Sequence, residues 1–246
     1  VRATNAVVAD CIGGAEVPCI DIECAGGFGS ASLRDLGSSE PLQDIPGAGQ
    51  EVHSTARVPL VTIDGLQLGR CDLIKLDIEG MEHLALRGCE QTIKRLRPII
   101  YAECNSVEDG VRSLEVLKSL GYDVHIHVVT AFNPRNFRGT SENIFGPARE
   151  AALVGIPSGS GERLSAIKLQ DDEILATVET ADDIVFALLN KPQYPGEILA
   201  RSKAASSSAR QWLDCYAELE AARADLAALR TTVQSGEIEA VDLRAD

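Results

Sequence analysis

Three acids fall within six residues at Asp77-Ile-Glu-Gly-Met-Glu82, directly after the apolar run Leu73-Ile-Lys-Leu76. Carboxylates gathered this closely can take a proton from a hydroxyl group or hold a hard cation. Left without partners they repel one another. Water, Lys75 together with the positive end of the following helix, or a bound ligand or cation would balance them. Glu79 and Glu82 are three apart where a helix begins, so both can point the same way, and His83 is four beyond Glu79. Acids in a first helical turn also favour the helix macrodipole with no further role. Glu103 tips the balance. It closes a second apolar run, with Asn105 two residues on, and would open at the same sheet edge as Asp77, where ligands of open α/β sheets bind.

The elements that must hold these acids follow from periodicity. Cys71–Asp77 and Pro98–Cys104 are compact apolar runs that suit strands buried on both faces of a parallel sheet. Between them, residues 80–96 read as a helix interrupted at Gly88. Residues 107–120 read as an amphipathic helix with Val111, Leu114, Leu117 and Leu120 on one side and Gly121 placed to end it. Tyr122–Val128 alternates as a further strand, with Ala151–Ile156 as its partner across a long loop at 130–149. Strand and helix alternation is the α/β signature, and the late pair predicts an antiparallel member at the sheet edge.

The flanks read differently. Residues 1–56 are short apolar pieces broken by Gly and Pro, with a polar loop from Gly37 to Gln50. After Pro157, Ser158–Gly161 reads as a linker and 162–190 as a helical extension closing before Pro192. Residues 200–234 read as one amphipathic, coiled-coil-like helix. Trp212, Leu219, Leu226 and Val233 recur every seventh residue, with Cys215, Ala222 and Leu229 in the second apolar position. Glu218 and Asp225 then stand five residues before Arg223 and Arg230, the spacing by which parallel helices pair charges across a seam. A parallel homo-oligomer through 212–233 is expected, the alternative being a helix folded back on its own domain.

Composition excludes several classes. A net charge of −14 repels polyanions and disfavours nucleic-acid or anionic-membrane binding. The absence of a long apolar run or a signal-like start makes a cytoplasmic location the expectation. Seven scattered cysteines without a Cys-x-x-Cys pair read as reduced thiols. His125 and His127 share a strand face and read as structural; Arg135 and Arg138 read as solvated loop residues, or as contacts for an anionic acceptor. Neither a nucleophile elbow nor a phosphate loop occurs.

Val58-Pro-Leu-Val-Thr-Ile-Asp-Gly-Leu66, Asp72-Leu-Ile-Lys-Leu-Asp-Ile-Glu-Gly-Met-Glu82, Leu86-Arg-Gly88 and Arg97-Pro-Ile-Ile-Tyr-Ala-Glu103 resemble the FkbM methyltransferase family in order and spacing. Asn5–Asp10 and Ser141–Phe145 resemble two flanking stretches, so the likeness covers about residues 1–157. The resemblance implies a Rossmann-like class I methyltransferase sheet and methyl transfer from S-adenosylmethionine to a hydroxyl of a small metabolite or glycan. It also implies that Asp77 lies near the sulfonium and the acceptor, that Glu79, Glu82 and Glu103 surround the acceptor pocket, and that Asn5 and Ala6 lie beside the adenine. Asp77 or Glu79 would orient or deprotonate the hydroxyl. A third reading places a divalent cation near Asp77, Glu103 and Asn105.

The family's first motif, Asp-x-Gly-Ala-Asn-x-Gly, is expected one strand–helix–strand unit ahead of residue 1, so the sheet is expected to be N-terminally incomplete. The glycine-rich Ile20–Ser30 reads as an ordinary loop rather than a replacement for it. The expected organisation is a methyltransferase domain at 1–157, a linker and helical extension at 158–199, the amphipathic helix at 200–234 and a tail at 235–246. A rival reading is a catalytically silent methyltransferase remnant that serves as an interaction module.

Overall fold

Burial alternates along the first long strand of the acid region, β4 (Leu73–Leu76), with Ile74 and Leu76 buried and Leu73 and Lys75 open. That is a strand packed on one face. The expectation of burial on both faces is corrected here, and the reason is chemical: Lys75 and Asp77 occupy the second face, and charges stay out of a core unless paired. The computed structural model describes residues 3–18, 55–160, 168–170 and 172–192. The amphipathic helix at 200–234, the tail at 235–246, the 37–50 loop and the glycine-rich 20–30 stretch lie outside the described residues.

Five strands form one mixed sheet in the order β4, β5 (Ile99–Glu103), β7 (Arg149–Pro157), β6 (Tyr122–Thr130) and β8 (Ile174–Thr177). β4 and β5 are parallel; β7 runs antiparallel to both β5 and β6, and β8 antiparallel to β6. The reversed strand expected at the sheet edge is therefore internal. It takes Ile100–Glu103 on one side and Tyr122–Thr130 on the other, so its residues Ala151–Pro157 are all buried. Two further differences lie beyond Pro157. Residues 174–177 form a strand that extends the sheet, where a helical extension over 162–190 was expected, and among the described residues of that stretch Ala181–Leu188 (α4) is helical. A short apolar run does not declare its period, and pairing with β6 decides it.

The helices between β4 and β6 fall where periodicity put them. α1 (Glu82–Arg87) and α2 (Glu90–Leu96) are separated at Gly88, and α3 (Val107–Ser119) ends before Gly121, whose φ of 73° suits glycine. Ser106 caps α3 by accepting from the Asp109 N–H at 3.2 Å. α3 packs on β6 and β7, α4 on α3 and β6, and α1 on α3. The shared core is made by Leu86, Ile100, Leu117, Ile126, Leu153, Ile184 and Leu188.

A second sheet orders β1 (Val7–Val8), β3 (Thr55–Val61) and β2 (Gly13–Pro18), with β1 parallel and β2 antiparallel to β3. It meets the α1–α2 joint at close range. A Cβ on Gly88 would stand 2.0 Å from the Ala9 carbonyl oxygen, so only glycine lets the backbones approach this far. No helix among the described residues is long and apolar enough to cross a membrane.

Candidate active site

Register places the acids. Lys75 pairs with Tyr101 and Leu76 with Ala102, so Asp77 and Glu103 follow side by side at the carboxyl ends of two parallel strands. One oxygen from each of Asp77, Glu79 and Glu103 lies within 4.8 Å of the others. Lys75, two residues before Asp77 on the same face, forms an ion pair with it. That bond holds the Lys75 ammonium above its ordinary range.

The turn between β4 and α1 explains how Glu79 joins them. Its φ is 54°, and Gly80 follows at 93°. A non-glycine residue in the left-handed region costs about 1–2 kcal/mol and needs bracing. Glu82 supplies the brace. Only 1% exposed, it accepts through Oε1 from the Ile78 N–H at 3.0 Å and the Gly80 N–H at 3.3 Å. Glu79 and Glu82 therefore do not point the same way from one helical turn. The helix begins at Glu82, Glu79 sits on the turn ahead of it, and the Glu82 carboxylate is committed to backbone.

Glu103 carries the largest electrostatic effect of the group. Burial pushes its carboxyl up to about 7, Asp77, Glu79 and Glu82 push the same way, and a hydrogen bond from the Asn105 side chain opposes them. Its Oε2 is buried and makes no hydrogen bond among the described residues. A carboxyl titrating near neutrality beside two more carboxylates can accept and return a proton.

Next to the acids on the same face, the Tyr101 hydroxyl lies 3.2 Å from His127 Nδ1, and His127 Nε2 lies 3.9 Å from Glu173 Oε2. His125 meets the Thr177 hydroxyl at 3.3 Å. His125 thus meets the adjacent β8, whereas His127 reaches over β7 to Tyr101 on β5. Asn5 and Ala6 immediately precede β1, in a different sheet from the acids. Arg135 is exposed in the loop between β6 and β7 and helps hold the Glu173 carboxyl below its ordinary value, behind hydrogen bonds from Gln170. Arg138, in the same loop, is also exposed.

Two participants escaped the sequence. Tyr101 looks like any strand aromatic until its register with Lys75 is known. Lys191 is 4% exposed and donates to Asn105 Oδ1 at 2.8 Å across 86 residues of sequence; no local pattern signals such a contact.

The family model for the Methyltransferase FkbM domain matches residues 2–124, half of the chain. No curated protein and no solved structure gives a significant match. The matched stretch contains Asp77, Glu79, Glu82 and Glu103 together with the two strands and the turn that hold them, and the chain belongs to the FkbM methyltransferase family.

Proposed function

We propose that the protein transfers a methyl group from S-adenosylmethionine to a hydroxyl of a small metabolite or glycan, at the crevice beyond β4 and β5. The observation that carries this reading is the Glu103 carboxyl, raised to about 7 next to Asp77 and Glu79. The charge of the group fits the donor: three carboxylates with Lys75 paired to one of them leave net negative charge, which favours a sulfonium nearby. S-adenosylmethionine supplies an electrophilic methyl carbon whose bond to sulfur breaks as the acceptor oxygen attacks, leaving S-adenosylhomocysteine.

This chain's residues do the rest. Glu103 takes the hydroxyl proton as the new C–O bond forms, and Asp77, fixed by Lys75, orients the acceptor. Glu79 lines the crevice from its left-handed turn, which Glu82 braces. A Rossmann-like arrangement, with Asn5 and Ala6 beside the adenine, belongs to the same proposal and comes from family membership.

Calorimetry with S-adenosylmethionine on the full chain should show micromolar binding, and an acceptor panel read by S-adenosylhomocysteine release should show turnover. Glu103→Gln should lose about 10²–10⁴ in rate, and Asp77→Ala and Glu79→Ala at least about tenfold each. Absence of binding heat would instead favour the silent interaction module.

A further inference from the structure

Ala152 of β7 is paired with Glu103 on one side and with His127 on the other, so the three form one row across the face of the sheet that carries the acids. Tyr101 stands on the same face two residues before Glu103, one row away, in register with Val154. Its side chain leans over β7 until the hydroxyl is 3.2 Å from His127 Nδ1, with the two rings edge to face and their centroids 6.1 Å apart. An alanine at 152 leaves room for that crossing. On the far side of His127, the Glu173 carboxylate is held by Gln170, whose backbone N–H and side-chain amide meet its two oxygens at 2.9 Å each. Glu173 Oε2 faces His127 Nε2 at 3.9 Å, too long for a direct hydrogen bond. Nε2 itself is buried and makes none among the described residues.

This geometry sets the direction of the chain of contacts. A carboxylate held opposite Nε2 attracts an N–H and repels a lone pair. The proton of a neutral His127 ring therefore belongs on Nε2, which leaves Nδ1 to accept. The Tyr101 hydroxyl then donates to Nδ1, and with its one hydrogen spent its oxygen can only accept. Lys75, opposite Tyr101 in register, is taken up by Asp77. We propose that Glu173 and His127 are positioning residues for Tyr101 and that Tyr101 selects the acceptor: its oxygen receives a hydrogen bond from a second hydroxyl beside the one methylated, so the crevice takes polyols in preference to simple alcohols. The proposal rests on the proposed function in so far as the methylated hydroxyl sits at Glu103. The dimensions agree. Glu103 and His127 stand two strand spacings apart, about 9.5 Å between backbones, with the Tyr101 hydroxyl on the near side of His127. Two hydrogen bonds and the gap between adjacent hydroxyls, each about 2.8 Å, cover that span.

Nuclear magnetic resonance on the full chain tests this without S-adenosylmethionine or turnover, so its failure is separate from a failure of donor binding. At pH 8, above the ordinary imidazole range, nitrogen–proton correlation of the His127 ring, assigned with His127→Asn, should find the proton on Nε2. A proton on Nδ1, alone or together with one on Nε2, overturns the proposal. Titrations with myo-inositol and with cyclohexanol, two six-carbon rings that differ in hydroxyl count, test the selection. Inositol should shift the Tyr101 ring signals and bind at least about tenfold more tightly than cyclohexanol. Tyr101→Phe, which keeps the ring, should weaken inositol by about tenfold and leave cyclohexanol within about twofold. Absence of inositol binding, equal affinities for the two probes, or an inositol affinity unchanged in Tyr101→Phe overturns the proposal.

Discussion

Replacing Glu103 by Gln should make the protein more stable at pH 8 while slowing transfer by about 10²–10⁴. Burial raises the folded carboxyl to about 7 from an ordinary value of 4.5. Below 4.5 both folded and unfolded forms are protonated, and the group costs nothing. Between 4.5 and 7 the unfolded chain releases the proton while the native state keeps it, so stability falls as pH rises through that window. At full weight the gap would be worth about 3 kcal/mol. Glu103 is only half-buried, and solvent screening reduces this to about 1–2 kcal/mol. Urea unfolding of wild type and Glu103→Gln near pH 4.5 and at pH 8 isolates the contribution as a difference of differences. The two proteins should match at the lower pH, with the variant ahead by about 1–2 kcal/mol at the higher. A difference within about 0.3 kcal/mol of zero, or of opposite sign, would refute the electrostatic reasoning.

Glu82→Ala should lose about 2–4 kcal/mol in urea unfolding, because two N–H groups lose a charged acceptor. Glu82→Gln, which keeps an oxygen in place, should lose about 1 kcal/mol. Gly88→Ala should lose about 2 kcal/mol or more, since its Cβ would press on backbone at 2.0 Å. Gly69→Ala, where a Cβ meets nothing within 4 Å, should stay within about 0.5 kcal/mol of wild type. Asp64 accepts from the Gln91 and Thr92 N–H groups at 3.0 and 2.7 Å and so caps α2 from the 3-10 turn Asp64–Leu66. Asp64→Ala should lose about 1–2 kcal/mol at pH 7. Burial acts to raise the Asp64 carboxyl, but hydrogen bonds from Thr92 and Gln91 outweigh it and hold it below 3.8. Its contribution is therefore present above that pH and fades as pH falls below it, which acid titration of the two proteins' stabilities would show.

The acid site was legible to the extent that it is local. Asp77 and Glu103 end apolar runs separated by one helical stretch, and parallel pairing of such runs brings their ends together. Gly88 and Gly121 marked their breaks because backbone conformation and close approach act on single residues. Spacing misled at Glu79 and Glu82, since three residues apart means a shared direction only if both lie on the helix, and the helix starts one residue after Met81. Pairing of β6 with β7 followed from their adjacency in sequence, but the insertion of β7 beside β5 depends on competition among strands. Ile174–Thr177 was read as helix because four residues hold no period. Lys191 was invisible for a related reason: its partner is chosen by where α4 docks on α3.

The internal place of β7 also dictates an order of assembly. β5 and β6 have no direct pairing; residues 149–157, made after both, fill the gap between them. A chain emerging from the ribosome therefore carries two apolar strands whose facing edges stay unsatisfied until Pro157 has cleared the exit, and such edges invite pairing between neighbouring chains. Stalling within the 131–148 loop leaves the sheet split, whereas completion of β7 joins its two halves and β8 then covers the outer edge of β6.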